Sequence, residues 1–174
     1  MTSTDIILRY SYPPAGSNSD PRTFNIFKVS EDSTDQVELY KFYHPNTGLK
    51  KDTTLFHRKN LSTLKWETAG EIEWSSDTSA TIHFGIDKVA MSQLRKAKNS
   101  KSKSRRFKVS GTEYKWKIAE GDTDLFCEDS RGKRMATWTE GELTLRVEAR
   151  GEALLDRLVV TCFLNVWMKR LNEW

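Results

Sequence analysis

The run "RKAKNSKSKSRRFK", from Arg95 to Lys108, holds eight basic residues and no acid: Arg95, Lys96, Lys98, Lys101, Lys103, Arg105, Arg106 and Lys108. Ala, Asn and Ser fill most of the gaps, a composition with too little apolar surface to bury itself. It favours a solvated loop between two strands, over Arg95 to Arg106. Cations grouped this way meet anions. Near an anionic bilayer each contributes on the order of 1 kcal/mol; on nucleic acid the same charges release counterions and give steep salt dependence. Arg95, Lys96, Lys98, Lys101, Lys103, Arg105 and Arg106 are therefore the candidate anion-binding residues. Base stacking needs aromatic rings, and the loop has none, which favours lipid head groups over single-stranded nucleic acid. A plain solubilising loop and a nuclear import signal are the competing uses of the same composition. Ser100, Ser102 and Ser104 stand among the lysines, where phosphorylation would cancel much of the charge and act as an electrostatic switch.

The other reactive residue types are scattered. His44, His57 and His83 lie in no metal-ligand spacing with Cys or with one another. His83, between Ile82 and Phe84, alternates outward. "DTDLFCED" gathers Asp122, Asp124, Glu128 and Asp129 but lacks the central glycine and layout of a calcium loop, so it reads as an acidic turn. There is no glycine-rich phosphate cradle and no Gly-Xaa-Ser-Xaa-Gly elbow. The expectation is a non-enzymatic protein with no catalytic residues, no metal and no cofactor; an enzyme whose site is dispersed over several strands is the alternative that spacing does not reveal.

The 174 residues suit one domain spanning 1–174. Aromatics at 11% argue against a disordered chain. Net charge is +4, yet without the basic run 20 basic residues face 24 acidic ones, so the positive character belongs to one segment. Cys127 and Cys162 sit in apolar contexts and read as buried free thiols. "MTSTDIILRYSYPP" shows no basic stretch leading into an apolar run. Together these point to an intracellular, cytoplasmic protein, with the nucleus as alternative.

The elements that would position these residues are mostly short strands. "EIEW", "TIHF", "EYKWKI" and "LTLRVEA" alternate strictly, putting Ile72 with Trp74, Ile82 with Phe84, Tyr114 with Trp116 and Ile118, and Leu143 with Leu145 and Val147 on inward faces. Looser runs cover Ile6–Tyr10, Thr23–Val29, Val37–Tyr43, Thr54–Arg58, Leu61–Trp66, Val89–Leu94, Arg106–Val109, Leu125–Glu128 and Met135–Thr139. Turn signals such as Pro45-Asn46-Thr47-Gly48, Ala69-Gly70 and Gly121-Asp122 separate many of them. That spacing predicts a mainly β protein of about twelve antiparallel strands, in a sandwich or barrel; Asp87–Ala97 is alternatively a short helix.

After Gly151 the period becomes helical, predicting a helix over about 153–171. Its most apolar window, Leu158 to Met168, is about half the ~20 residues a bilayer span requires, so no transmembrane segment is expected. Asp156 near its start and Lys169 and Arg170 near its end complement the helix dipole. Arg157, Thr161, Asn165, Lys169 and Asn172 share one side, with Leu154, Leu158 and Met168 intruding; the rest of the circumference is apolar. Such a helix is mostly enclosed, its polar side wet or hydrogen-bonded. A closed barrel of about twelve strands is too wide to be filled by side chains alone, and one helix ~10 Å across is a natural plug. Of the six tryptophans, Trp174 is the one expected to be exposed, with fraying as the default.

"FKVSGTEYKWKI" (Phe107 to Ile118), "EIEW" (Glu71 to Trp74) and "LLDRLVVTCFLNVWMKR" (Leu154 to Arg170) resemble the conserved blocks of a fungal domain-of-unknown-function family common in mushroom-forming fungi. That family is similar to the tubby-like group, which includes the LURP-one-related proteins and the phospholipid scramblases. The resemblance runs from about Ile6 to Arg170, and the closing Leu-Leu-Asp-Xaa-Leu-Val-Val-Thr block is its most specific part. It implies a twelve-stranded barrel around a C-terminal helix and no reaction. Lipid binding follows from it by analogy of fold only. The expected function is thus a peripheral binding module that meets anionic phospholipid head groups through the 95–106 loop; a protein- or nucleic-acid-interaction module is the second expectation.

Overall fold

A computed structural model describes residues 4–174. Twelve strands are present among them: β1 Ile6–Ser11, β2 Phe24–Val29, β3 Gln36–Tyr43, β4 Thr53–Asn60, β5 Lys65–Ser76, β6 Ser79–Phe84, β7 Asp87–Ala90, β8 Ser104–Val109, β9 Thr112–Ile118, β10 Leu125–Asp129, β11 Arg134–Thr139 and β12 Thr144–Val147. A one-turn helix α1, Met91–Leu94, follows β7, and α2, Leu155–Arg170, closes the chain. The strands form one sheet in the order β7-β6-β5-β4-β3-β2-β1-β12-β11-β10-β9-β8, so hydrogen bonds do not join β7 to β8 and do not close the sheet. The pairings from β2 through β7 and from β8 through β12 are antiparallel. By internal packing the chain falls into two compact units: Leu8–Ala90, and Met91–Trp174 with the residues up to Ile7.

In the unit Leu8–Ala90 a row of rings crosses the strands. Tyr10 stacks on Phe24 (5.6 Å between centroids), Phe24 on Phe42 (4.5 Å) and Phe42 on Phe56 (5.3 Å), and Phe56 meets Phe84 edge-on at 6.0 Å. These rings lie on β1, β2, β3, β4 and β6; β5 contributes Gly70, which pairs with both Phe56 and Phe84. A Cβ at Gly70 would stand 2.0 Å from the His83 carbonyl oxygen and 2.4 Å from Phe56 Cζ. Glycine is therefore the residue that lets the Phe56 ring cross β5 and continue the row. This corrects the expected turn at Ala69-Gly70: one strand of 12 residues runs through it. The true turn lies earlier, between Asn60 and Lys65, where Leu64 adopts φ 60°, so Leu61–Leu64 is turn and not strand.

The same unit buries a polar chain. Trp74 Nε1 donates to Thr54 Oγ1 at 2.8 Å, and Thr54 Oγ1 lies 2.8 Å from His44 Nδ1. With one lone pair of Thr54 taken by the indole, its hydroxyl proton is free to go to an unprotonated Nδ1. Burial lowers the His44 pKa, as does the Arg22 guanidinium, against weaker opposition from Asp20 and Asp52. Arg22 itself stacks over Trp74 at 5.0 Å and pairs with Asp20 at 2.8 Å.

The other unit carries the strands β8 to β12 as a meander, then a 3-10 turn Ala149–Leu154 leading into α2. The helix thus begins slightly later than expected, because its first residues are wound more tightly. Gly151 permits the junction: a Cβ there would meet Val147 Cγ1 at 3.0 Å and Leu158 Cδ1 at 3.1 Å. Nine consecutive residues, Leu158 to Val166, are buried, which at 3.6 residues per turn encircles the helix. Among the described residues, no helix is long and apolar enough to cross a membrane. The segment expected as strand over Val89–Leu94 or alternatively as short helix over Asp87–Ala97 holds both forms: Asp87–Ala90 is strand and Met91–Leu94 is helix.

Gly70→Ala should lower the unfolding free energy by about 1–3 kcal/mol or more, because the clash includes backbone that cannot swing away. Gly141→Ala, with nothing within 4 Å of the added methyl, should stay within about 0.5 kcal/mol; urea titration of both variants checks the contrast. For His44, the native state resists protonation that the unfolded chain accepts, so the unfolded state binds more protons below the ordinary imidazole pKa of 6.5. Stability should therefore fall as pH drops from about 6.5 through the depressed native pKa, by at most about 1.4 kcal/mol per pH unit from this group. His44→Gln should flatten that segment of the urea-midpoint profile relative to the parent protein.

Candidate functional site

The basic run is divided by the fold into three kinds of cation. Lys96, Lys98, Lys101 and Lys103 are exposed. Lys103 comes within 4.0 Å of Asp122, with both side chains more than three-quarters exposed, a contact that water screens to little value. Arg106 pairs with Glu113 at 3.0 Å across β8 and β9. Arg95 and Arg105 turn inward.

The segment between α1 and β8 is ordered by its own hydrogen bonds. Lys96 and Arg106 exchange both backbone bonds at 2.9 Å, an isolated bridge that draws the two ends together. Asn99 Oδ1 accepts from the Lys101 amide at 3.0 Å, making a turn at the tip. Arg105 Nη1 donates to the carbonyls of Ser102 (2.8 Å) and Ser104 (2.9 Å). The expected loop over 95–106 is therefore shorter: Ser104 to Arg106 already belong to β8. The serines divide as well. Ser100 is exposed, whereas Ser102 Oγ accepts from the Ser104 amide at 3.2 Å and both residues are half-buried.

Arg95 and Arg105 converge on the ring of Trp174, with their Cζ atoms 5.7 and 5.1 Å from its centroid. β8 positions Arg105 by alternation: it shares the inward face with Phe107, and both are buried. Arg95 follows the buried Leu94 at the end of α1, and its Nε donates to Asn165 Oδ1 on α2 at 2.8 Å. Asn165 Nδ2 in turn donates to the Thr161 carbonyl at 2.8 Å, and the Thr161 hydroxyl accepts from Trp116 Nε1 at 2.8 Å while donating to the Arg157 carbonyl. The polar side of the helix is thus hydrogen-bonded, one of the two states expected of it. Trp174 is half-buried, not frayed, because two guanidinium planes hold its ring.

The electrostatics of this corner are one-sided. Among the described residues neither Arg95 nor Arg105 has a carboxylate partner. Burial lowers the Arg95 pKa to about 10, with repulsion from Arg105 adding to it, and burial lowers that of Arg105 too. Both still carry their charge at neutral pH. Arg95 Nη2 and Trp174 Nε1 are buried donors without a hydrogen-bond partner.

The remaining candidates separate. Three of the four acids of "DTDLFCED" are engaged elsewhere: Asp124 accepts from the Glu140 amide (2.9 Å), Glu128 pairs with Lys117 (3.1 Å), and Asp129 accepts from the Arg131 and Lys133 amides. Backbone donation from Lys133, ahead of that from Arg131, lowers the Asp129 pKa. Cys127 and Cys162 are buried and in no disulfide, and burial pushes the Cys127 thiol far up, away from reactivity. One grouping escapes a search along the chain. His83 pairs opposite Glu71 in the β5–β6 register, and ligand atoms of Glu71, Glu73 and His83 lie within 4.8 Å of one another. His83 Nε2 lies 3.1 Å from Glu73 and Lys50 lies 3.6 Å from Glu71, so each carboxylate already has a nitrogen beside it.

No curated protein and no solved structure is significantly similar to the chain. A protein family does match, over residues 19–171, which takes in all seven basic candidates, the Trp116–Thr161–Asn165 contacts and α2. The chain belongs to the family of unknown function DUF6593.

Proposed function

We propose that this protein is a non-enzymatic binding module that recognises anionic surfaces, phospholipid head groups foremost, through the 95–106 segment. The observation that carries the reading is the exposure of Lys96, Lys98, Lys101 and Lys103 on one short turn whose ends are tied by the Lys96–Arg106 bridge. A pre-ordered turn loses little entropy when its charges meet a surface. At about 1 kcal/mol per lysine near an anionic bilayer, four such charges suffice for salt-sensitive peripheral attachment without any inserted segment. Two buried cysteines outside any disulfide fit a reducing, cytoplasmic setting. The tubby-like barrel belongs to the same reading: twelve strands and a C-terminal helix buried on all sides support it.

Co-sedimentation with phosphatidylcholine vesicles, with and without phosphatidylserine, is the test. Binding should require the anionic lipid and disappear near 1 M salt, where the screening length is about 3 Å. Replacing Lys96, Lys98, Lys101 and Lys103 by Gln should weaken partitioning by about a hundred- to a thousandfold. Equal recovery on neutral and anionic vesicles at low salt would sink the reading, as would salt-sensitive retention on nucleic acid without vesicle binding, which selects the second function instead.

A further inference from the structure

The lysines account for a diffuse field. They do not account for Arg95 and Arg105, which are withdrawn from solvent and packed against one ring. Two like charges, one buried at Arg105 and one half-buried at Arg95, with no carboxylate partner among the described residues, oppose folding, and each would be more stable in water. The Trp174 ring offsets part of that through its negative face, but it supplies no hydrogen-bond acceptor. Arg95 Nη2 and Trp174 Nε1 are both buried, both donors and both without a partner. Orphaned donors of this kind are rare in folded proteins. Here two of them coincide with two uncompensated positive charges.

We propose that Arg95, Arg105 and Trp174 form a discrete site for a doubly charged oxyanion, a phosphate monoester group. The donor set fits that class. Two guanidinium groups match a charge of about −2 at neutral pH, and a terminal phosphate offers three acceptor oxygens to planar forks and an indole N–H. The positions are fixed before binding: Asn165 orients Arg95 from the helix, and the Ser102 and Ser104 carbonyls orient Arg105. Trp174 closes over the pair, so its indole N–H reports on occupancy. Arginine, not lysine, stands at both positions, as bidentate recognition requires. The inference rests on the reading that this segment recognises anions, but not on the lysines or on a bilayer.

The experiment is a titration of the ¹⁵N-labelled protein with inorganic phosphate at constant ionic strength, following the Trp174 indole and the Arg95 and Arg105 Nε–H resonances. A saturable shift of Trp174 and of the arginines is expected, which chloride does not reproduce. Arg105→Lys and Arg95→Lys keep the charge and lose the fork; each should weaken the phosphate affinity by about tenfold or more. Lys133→Gln, at an exposed lysine outside the segment, should leave it unchanged. Vesicles carrying phosphatidic acid, a monoester, against phosphatidylglycerol, a diester, identify the source. A preference for phosphatidic acid that Arg105→Lys removes assigns the site to a lipid head group; saturation by free phosphate without that preference assigns it to a soluble ligand. Resonances that stay put, or that move equally with chloride, overturn the proposal, and they do so on the unmutated protein, whatever the folding of the variants. Loss of vesicle binding in the four-lysine variant with the phosphate titration intact would separate this site from the surface reading.

Discussion

The structure depends on one requirement: a helix buried around its whole circumference must satisfy every polar atom it carries. From Leu158 to Val166 the side chains are apolar except Thr161 and Asn165. Each would cost on the order of 1–3 kcal/mol if left unpaired in such surroundings. Thr161 solves this with its own Arg157 carbonyl and the indole of Trp116. Asn165 solves it with the Thr161 carbonyl and the guanidinium of Arg95. The two polar positions therefore choose their neighbours, and with them the register of β9 and the placement of α1 against the helix.

The choice of Arg95 as partner has a consequence beyond stability. An arginine that gives Nε to a buried amide has its fork pinned and its remaining nitrogens aimed in one direction. Arg105 is brought beside it by strand alternation and by two backbone carbonyls. The helix, one strand and a one-turn helix thus converge on a fixed cationic pair. The lysines on the turn above have no such ties. In the proposed reading, recognition divides into a long-range field supplied by the lysines and a short-range geometry supplied by the arginines.

Much of the strand content was legible because period-2 alternation is a direct consequence of one buried face. Ile72 with Trp74 and Ile82 with Phe84 are buried as the pattern requires. The closing helix was legible from its length and end charges. Gly70 was not. A glycine between apolar runs signals a turn when only its backbone freedom is considered, whereas here it is the missing side chain that matters, and the Phe56 ring and His83 carbonyl that need the space come from other strands. The cluster of Glu71, Glu73 and His83 was hidden for the same reason, since register is a property of pairs of strands. The basic segment was found, but composition treats all its charges as equal. Carrying the alternation of Phe107 back by two residues would have turned Arg105 inward, and the choice of Arg among so many Lys was a further sign. Nothing local marked Trp174 as the ring they share.

Drawing Arg105 fully and Arg95 partly out of solvent without an acid sets the character of the proposed site. A buried ion pair would have neutralised itself and left nothing to bind. A lysine pair could have lost its protons as burial lowered their pKa, whereas arginine starts high enough that even the depressed value of about 10 for Arg95 leaves it charged at neutral pH. The fold therefore keeps the pair permanently cationic, tempers it with an aromatic face and places it beside an exposed basic turn. On the proposed reading, discrimination among anions is what gives the fold a reason to draw two charges inward and fix their orientation.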